Sequence, residues 1–344
     1  MEAIAAYDLA LAIDPGYLDP LQARSAVLLM LKRYDEAIAG YERILALDPG
    51  HPRALSELAN CHLVTCDWSR MKQIAGELES SLVSGGAVAS PFILLELPMR
   101  NAALSACTAR FSAAEVPKRE PVAQIYRPSD RDRTHVAYLS ADFRNHATAH
   151  LAAGLFERHD RARFEITGIS FGPNDGSEMR ARLVGAIDRF CDVGSMGDRE
   201  VAQLLHDLGV DIAVDLKGHT EGARPGILAY RPAPIQVAYL GYPGPLGLDF
   251  IDYVVADRIV LPFDQQRFYR ERIVHLPDSY QVNDRARPIA ARTPARGEMG
   301  LPEDALVFCR ASPARTFSLI RCPAMLTRLQ AMLCGGASGV ELCG

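Results

Sequence analysis

Three short segments hold most of the side chains that could do chemistry. They are Ser140-Ala-Asp-Phe-Arg-Asn-His146, Asp215-Leu-Lys-Gly-His-Thr220 and Leu240-Gly-Tyr-Pro-Gly244. Each follows an apolar run of strand length and is dense in small, polar or titratable residues. In a parallel α/β sheet, ligands bind outside the carboxyl ends of strands, so the three together suggest one side of a cleft. Asp142, Asn145, His146 and His150 fall within nine residues at the first end. His146 and His150 are four apart, which puts them on one face once a helix has begun. A metal pair is disfavoured, because the glutamate of a zinc hydrolase helix is missing between them. A general base fits better, since imidazole titrates near neutrality. The other reading is an ordinary polar helix start, and spacing does not choose between the two.

At the second end, Gly218 and Gly222 permit a tight turn and close backbone approach. Lys217, His219 and Thr220 could then face a phosphate or an acceptor, or the segment simply caps a helix after a strand. At the third end, Gly241, Tyr242, Pro243 and Gly244 close a strand whose start is fixed by Pro232 and Pro234. Those two prolines read as structural. Neither a Gly-x-Gly-x-x-Gly nor a Walker pattern is present, so dinucleotide and triphosphate sites of those kinds find no support.

The elements that must position these ends follow from the hydrophobic rhythm. Strands are expected at 135–139, 164–171, 211–216, 235–240, 253–256 and 272–276. Helices are expected at 148–159, 178–186, 198–208 and 222–229, with Asp198 as an N-cap and Gly209 as a stop. Such alternation implies a mainly parallel sheet with helices on its faces. Ahead of it lies a repeat: Glu2 to Gly16 aligns with Glu36 to Gly50, Tyr7 with Tyr41 and Pro15 with Pro49. A third copy begins at His51. The 34-residue period with Asp-Pro ending each second helix is the tetratricopeptide signature. Further helix is expected over 71–82 and 91–107, then a linker over 116–134 carrying Pro117, Pro121 and Pro128.

Bulk properties exclude several classes. The 344 residues are 49% hydrophobic and 23% charged, with 37 basic against 42 acidic side chains and a net charge of -5. That argues against nucleic acid or an anionic membrane as the main partner. No apolar run approaches the length of a bilayer span, and no secretion signal is visible. The chain opens inside a repeat, which points to more repeats upstream. Eight cysteines (Cys61, Cys66, Cys107, Cys191, Cys309, Cys322, Cys334 and Cys343) show no Cys-x-x-Cys pair and no zinc spacing. Reduced thiols in a cytoplasmic protein are the plain expectation.

Taken in order, the repeats ending in Asp-Pro-Gly, then Val136 to His146, Asp211 to Arg224 and Tyr230 to Gly244, resemble the O-linked N-acetylglucosamine transferase family, including its bacterial and Spindly-like members. The resemblance runs to about Cys309. It implies tetratricopeptide repeats over 1–84, a helical extension and linker over 85–134, and a Rossmann-like catalytic lobe over 135–309. That lobe would be the N-terminal half of a GT-B glycosyltransferase. The implied reaction moves N-acetylglucosamine from UDP-GlcNAc to protein serine or threonine with inversion, with no metal or other cofactor. Protein acceptors would be held by the repeats, and a sugar nucleotide would lie between two lobes. The resemblance casts His146 as the candidate base. It places Gly218, His219, Thr220, Gly241, Tyr242, Pro243 and Gly244 around the cleft, where the strand-end reading adds Asp142, Asn145 and Lys217. A GDP-fucose donor, or a non-enzymatic scaffold built on the repeats, are the alternatives.

The chain leaves the family pattern after Leu306-Val-Phe-Cys309. Residues 310–344 carry Arg310, Arg315, Arg321 and Arg328, no lysine or aspartate, and three of the eight cysteines. A frameshift or truncation near Cys309 is expected, leaving one lobe without turnover. Reading the coding DNA there in all three frames tests this, since the family continues with an Asn-rich, lysine-containing segment.

Overall fold

The computed structural model describes residues 2–51, 53–84, 89–122, 132–287 and 291–301, with the backbone of 309–310 and 318–319. Five helices come first: α1 (Glu2–Ile13), α2 (Leu18–Met30), α3 (Tyr34–Leu47), α4 (Ala54–Thr65) and α5 (Met71–Ser84), each packed on the next. Their core includes Leu28, Tyr41, Ile44, Leu58, Ile74 and Leu78, all essentially without solvent exposure. Each buried Leu or Ile contributes about 2 kcal/mol relative to exposure. Small residues set the crossing of α2 and α3. A methyl group on Gly40 would sit 2.1 Å from Ser25 Oγ, so only glycine lets the two backbones close there. The repeated Asp-Pro-Gly also has a local cause. Asp14 and Asp48 accept the N–H of Gly16 and Gly50 at 2.9 and 3.0 Å, turning the chain after each helix.

The single helix expected over 91–107 is two, α6 (Pro91–Leu95) and α7 (Asn101–Glu115). Pro98 explains the break: it lacks an N–H and pushes Leu97 out of the helical region. The expected linker over 116–134 falls partly outside the described residues.

The second half alternates as β1 (Thr134–Ser140), α8 (Ala147–Glu157), β2 (Phe164–Ser170), α9 (Glu178–Ala186), β3 (Arg189–Asp192), α10 (Asp198–Asp207), β4 (Ile212–Asp215), α11 (Gly226–Ala229), β5 (Ile235–Ala238), β6 (Tyr253–Ala256) and β7 (Arg272–His275). The seven strands form one sheet in the order β3-β2-β1-β4-β5-β6-β7, every pair parallel. Strand order reverses between β1 and β4, the place where doubly wound sheets bind ligands. Period-two alternation splits β1 between two cores. Val136 and Tyr138 join Ala152, Phe156 and Leu183 of α8 and α9. Ala137 and Leu139 join Val201, Leu205, Ile227 and Leu228 of α10 and α11.

Three local expectations change. β3 was not foreseen, because Arg-Phe-Cys-Asp on a sheet edge has too short an apolar pattern. The helix expected over 222–229 shrinks to α11, since Gly222 takes a left-handed φ of 74° and Pro225 precedes the first turn. Asp198 is not the cap of α10; Gly197 is, and its N–H donates to Glu200 Oε2 at 2.6 Å. The Asp198 carboxylate instead accepts from Arg224 Nε at 2.8 Å, joining α10 to the turn before α11. Gly209 does stop α10, with φ 65° and its N–H on His206 O at 2.8 Å.

Residues from Ala286 onward form a separate unit. In it, a 3-10 turn at Gly297–Met299 ends on left-handed Gly300, and β8 (Cys309–Arg310) pairs antiparallel with β9 (Ser318–Leu319). The expectation of an aberrant tail otherwise lies outside the described residues.

Candidate active-site cleft

The carboxyl ends of β1, β2 and β4 border an open cleft of about 1160 Å³. Asp142, Arg144, His146 and Thr148 line it from the β1 end. Leu216 to Ala223 line it from the β4 end, and Gly241 from beyond β5. Across from the sheet stand Asn60, Phe92, Ile93, Phe111 and Glu115 of the helical region. The walls come close because Gly241 has no side chain: a methyl there would lie 2.0 Å from Leu216 O.

An ion pair sits at the floor. Lys217 Nζ donates to Asp142 Oδ2 at 2.5 Å, and each side chain is only 4% exposed. The Asp142 backbone N–H is held by Ser140 Oγ at 2.9 Å. Arg144 Nη2 stands 3.8 Å from Asp142 Oδ1. His146 is the N-cap of α8: its backbone is extended, and Nδ1 accepts the Thr148 N–H at 3.2 Å. The same Nδ1 lies 3.5 Å from Asp142 Oδ2. Burial lowers the His146 pKa below its ordinary 6.5; Asp142 opposes this, while Lys217, Arg144 and His150 add to it. The imidazole is therefore predominantly neutral at pH 7 and half-buried in the cleft wall.

A family model for glycosyl transferase family 41 matches residues 115–293, and a tetratricopeptide repeat model matches residues 28–75. The chain belongs to glycosyl transferase family 41. It is similar to the probable UDP-N-acetylglucosamine–peptide N-acetylglucosaminyltransferase SEC of Arabidopsis thaliana, at 35% identity over 63% of this chain and 23% of the relative. The corresponding transferase of Caenorhabditis elegans is 30% identical over 65% of this chain and 21% of its own. A mutant O-GlcNAc transferase of Thermobaculum terrenum superposes with a TM-score of 0.60 at 25% identity, covering 81% of this chain and 54% of that one. The chain thus spans under a quarter of the length of these curated relatives. Helical repeats followed by a Rossmann-like parallel lobe, the expected fold class, are what the family 41 chain has.

The expected site residues of this family 41 lobe divide into three groups. Asp142, His146, Lys217, Gly218, His219, Thr220 and Gly241 all border the cleft. Asn145 does not: it is exposed, its N–H donates to Asp175 Oδ2 at 2.8 Å, and its Oδ1 faces His150 Nε2 at 2.8 Å. Tyr242, Pro243 and Gly244 line a separate internal space of about 30 Å³ behind the turn. His219 borders the cleft but is already occupied. Its Nε2 donates to Leu246 O at 2.8 Å, Ser112 Oγ lies 3.1 Å away, and its ring meets Phe111 and Tyr242 edge-on. Asp215 carries the same turn, accepting the N–H groups of Lys217 and Gly218, each at 2.9 Å. Burial pushes the Asp215 pKa up and those two bonds partly offset it.

Sequence reasoning missed the β2 end, Phe171-Gly-Pro173, which also lines the cleft. Glycine and proline directly after an apolar strand were the available signal. The helical wall left none, because Asn60 and Phe111 sit mid-helix, away from any turn or strand end. Among the described residues, no three His, Cys, Asp or Glu side chains gather as a metal site. No helix there is long and apolar enough to cross a membrane.

Proposed function

We propose that this lobe is the acceptor-side wall of a protein O-glycosyltransferase. The reaction would carry N-acetylglucosamine from UDP-GlcNAc to a serine or threonine hydroxyl, with inversion at the anomeric carbon. The observation that carries the reading is His146: a neutral, half-buried imidazole at the strand-order reversal, opening on a cleft of about 1160 Å³. The curated relatives named as N-acetylglucosaminyltransferases support the sugar. In the attack, the hydroxyl proton would pass to His146 as oxygen bonds the anomeric carbon and the diphosphate leaves. Aromatic and apolar side chains of the helical wall, Phe92, Ile93 and Phe111, would hold the acceptor backbone beside it. Diphosphate departure needs cations or helix N-termini, which the family resemblance assigns to a second lobe. A cytoplasmic setting belongs to the same proposal.

Calorimetric titration of the purified chain with UDP-GlcNAc, GDP-fucose and an acceptor peptide tests this. Micromolar binding of UDP-GlcNAc supports the reading, and preference for GDP-fucose would replace the sugar. Peptide binding with neither donor bound would leave a scaffold.

A further inference from the structure

Nδ1 of His146 faces two partners that require opposite protonation. The Thr148 N–H, at 3.2 Å, needs a lone pair on that nitrogen. Asp142 Oδ2, at 3.5 Å, would need a proton on it. A neutral imidazole has one proton to place. With the lone pair on Nδ1 the proton is on Nε2, and the ring has no free basic nitrogen. With the proton on Nδ1, donated to Asp142, Nε2 becomes the acceptor.

What Asp142 can offer decides between them, and Lys217 reaches the same oxygen at 2.5 Å. The ammonium comes from the β4 end, is buried to 4% exposure, and points at Oδ2, the oxygen nearest His146. It occupies that oxygen and offsets part of its field where the imidazole would feel it. The remaining charged or titratable neighbours do not replace it. Arg144 stands by the other oxygen, Oδ1, at 3.8 Å, and His150 is turned to Asn145.

We propose that Lys217 is a positioning residue that sets the tautomer of His146 through Asp142. With the ammonium on Oδ2, His146 rests as the Nε2–H form and caps α8. When the ammonium is removed or drawn aside, Asp142 takes the Nδ1–H and Nε2 becomes basic. One proton leaves Nε2 to solvent and one returns to Nδ1, so net charge is unchanged. The catalytic use of this setting rests on the proposed function, but the coupling among the three side chains does not.

The test is nitrogen-15 NMR of the full chain labelled at histidine, with a His146→Gln spectrum assigning the signal among nine histidines. In the wild type we expect the Nε2–H tautomer and a titration midpoint below about 6.5. Lys217→Met should move the ring toward Nδ1–H and raise its midpoint by about one unit. Lys217→Arg, which keeps a cation on Asp142, should restore the wild-type tautomer. An unchanged tautomer and midpoint in Lys217→Met would overturn the proposal. So would an Nδ1–H tautomer in the wild type, which decides the matter if Lys217→Met does not fold. Loss of donor or peptide binding bears on the proposed function and leaves these signals untouched, so the two can fail separately.

Discussion

Two histidines border the same cleft at the ends of neighbouring parallel strands, and they do opposite things. His219 is a clamp. Its Nε2 holds Leu246 O, and its ring is enclosed by Phe111 of the helical region and Tyr242 of the sheet lobe. His146 is a helix cap whose other face is free to meet a ligand. Both pKa values are lowered by burial, so a depressed pKa does not separate them. What separates them is packing: the His219 ring is held edge-on by two aromatic rings, whereas the His146 ring is half-exposed on the cleft. A histidine in a cleft is a candidate for chemistry only where its packing leaves the ring within reach of a ligand.

The largest expected effect falls on the residue between the two. Lys217→Met removes the cation from buried Asp142 and should cost about 3–5 kcal/mol, the range for breaking a buried pair from one side. The low end applies if Arg144 moves the 3.8 Å to Asp142 Oδ1 into contact. Urea unfolding measures it; a change below about 1 kcal/mol would mean the pair is not closed in solution.

Next come the histidines themselves. His219→Ala loses a buried hydrogen bond and two edge-on ring contacts, and should cost about 2–3 kcal/mol. His146→Ala loses a helix cap and should cost about 1 kcal/mol. Ligand titration should rank them in reverse, with His146→Ala altering the cleft more. Equal stability losses would collapse the distinction between clamp and cap.

The pH dependence sharpens it further. For each histidine the folded pKa lies below the unfolded value of about 6.5. Between those values the unfolded chain binds more protons. This contribution to stability is therefore complete above about pH 6.5 and is lost as pH falls through the folded pKa. Glu271 has the opposite sign. It is 1% exposed, and burial raises its pKa above 4.5. Its contribution is present below about pH 4.5 and lost as pH rises through the folded value. From about pH 5 to 7 the histidines therefore push the slope of melting temperature against pH up, and Glu271 pushes it down. His219→Gln should flatten that slope more than His146→Gln, because His219 is enclosed by rings on two sides. No flattening in either would assign the slope to other groups.

How much of this the sequence shows depends on range. The parallel sheet was readable because period-two alternation and glycine stops are local: Gly209 ends α10 by its own left-handed backbone. The 34-residue repeat was readable because Asp14 and Asp48 make the same turn bond in each copy. Lys217 and Asp142 were each visible as cleft candidates, but their pairing crosses 75 residues of chain and leaves no local pattern. The same holds for His219, whose clamp depends on Leu246 and on Phe111 from a different half of the molecule. Asn145 misled for a related reason: a polar side chain next to His146 looks functional until the turn at Asp175 is seen to hold it outward.

That residue gives the smallest and most discriminating expectation. Asn145 adjoins His146 in sequence and shares its polar character, so a reading by motif predicts that losing it damages the cleft. The structure predicts otherwise. Asn145→Ala keeps the backbone N–H on Asp175 and loses an exposed contact with His150. Stability should change by no more than about 0.5 kcal/mol, as for surface substitutions, and cleft ligands should bind as before. The His146 nitrogen signals should also hold still, because His150 is a minor influence on that ring beside burial, Asp142, Lys217 and Arg144. Loss of ligand binding in Asn145→Ala with unchanged stability would show that the turn reorients toward the cleft when a ligand arrives. The line between the residues that face the cleft and those that only flank it would then have to be redrawn.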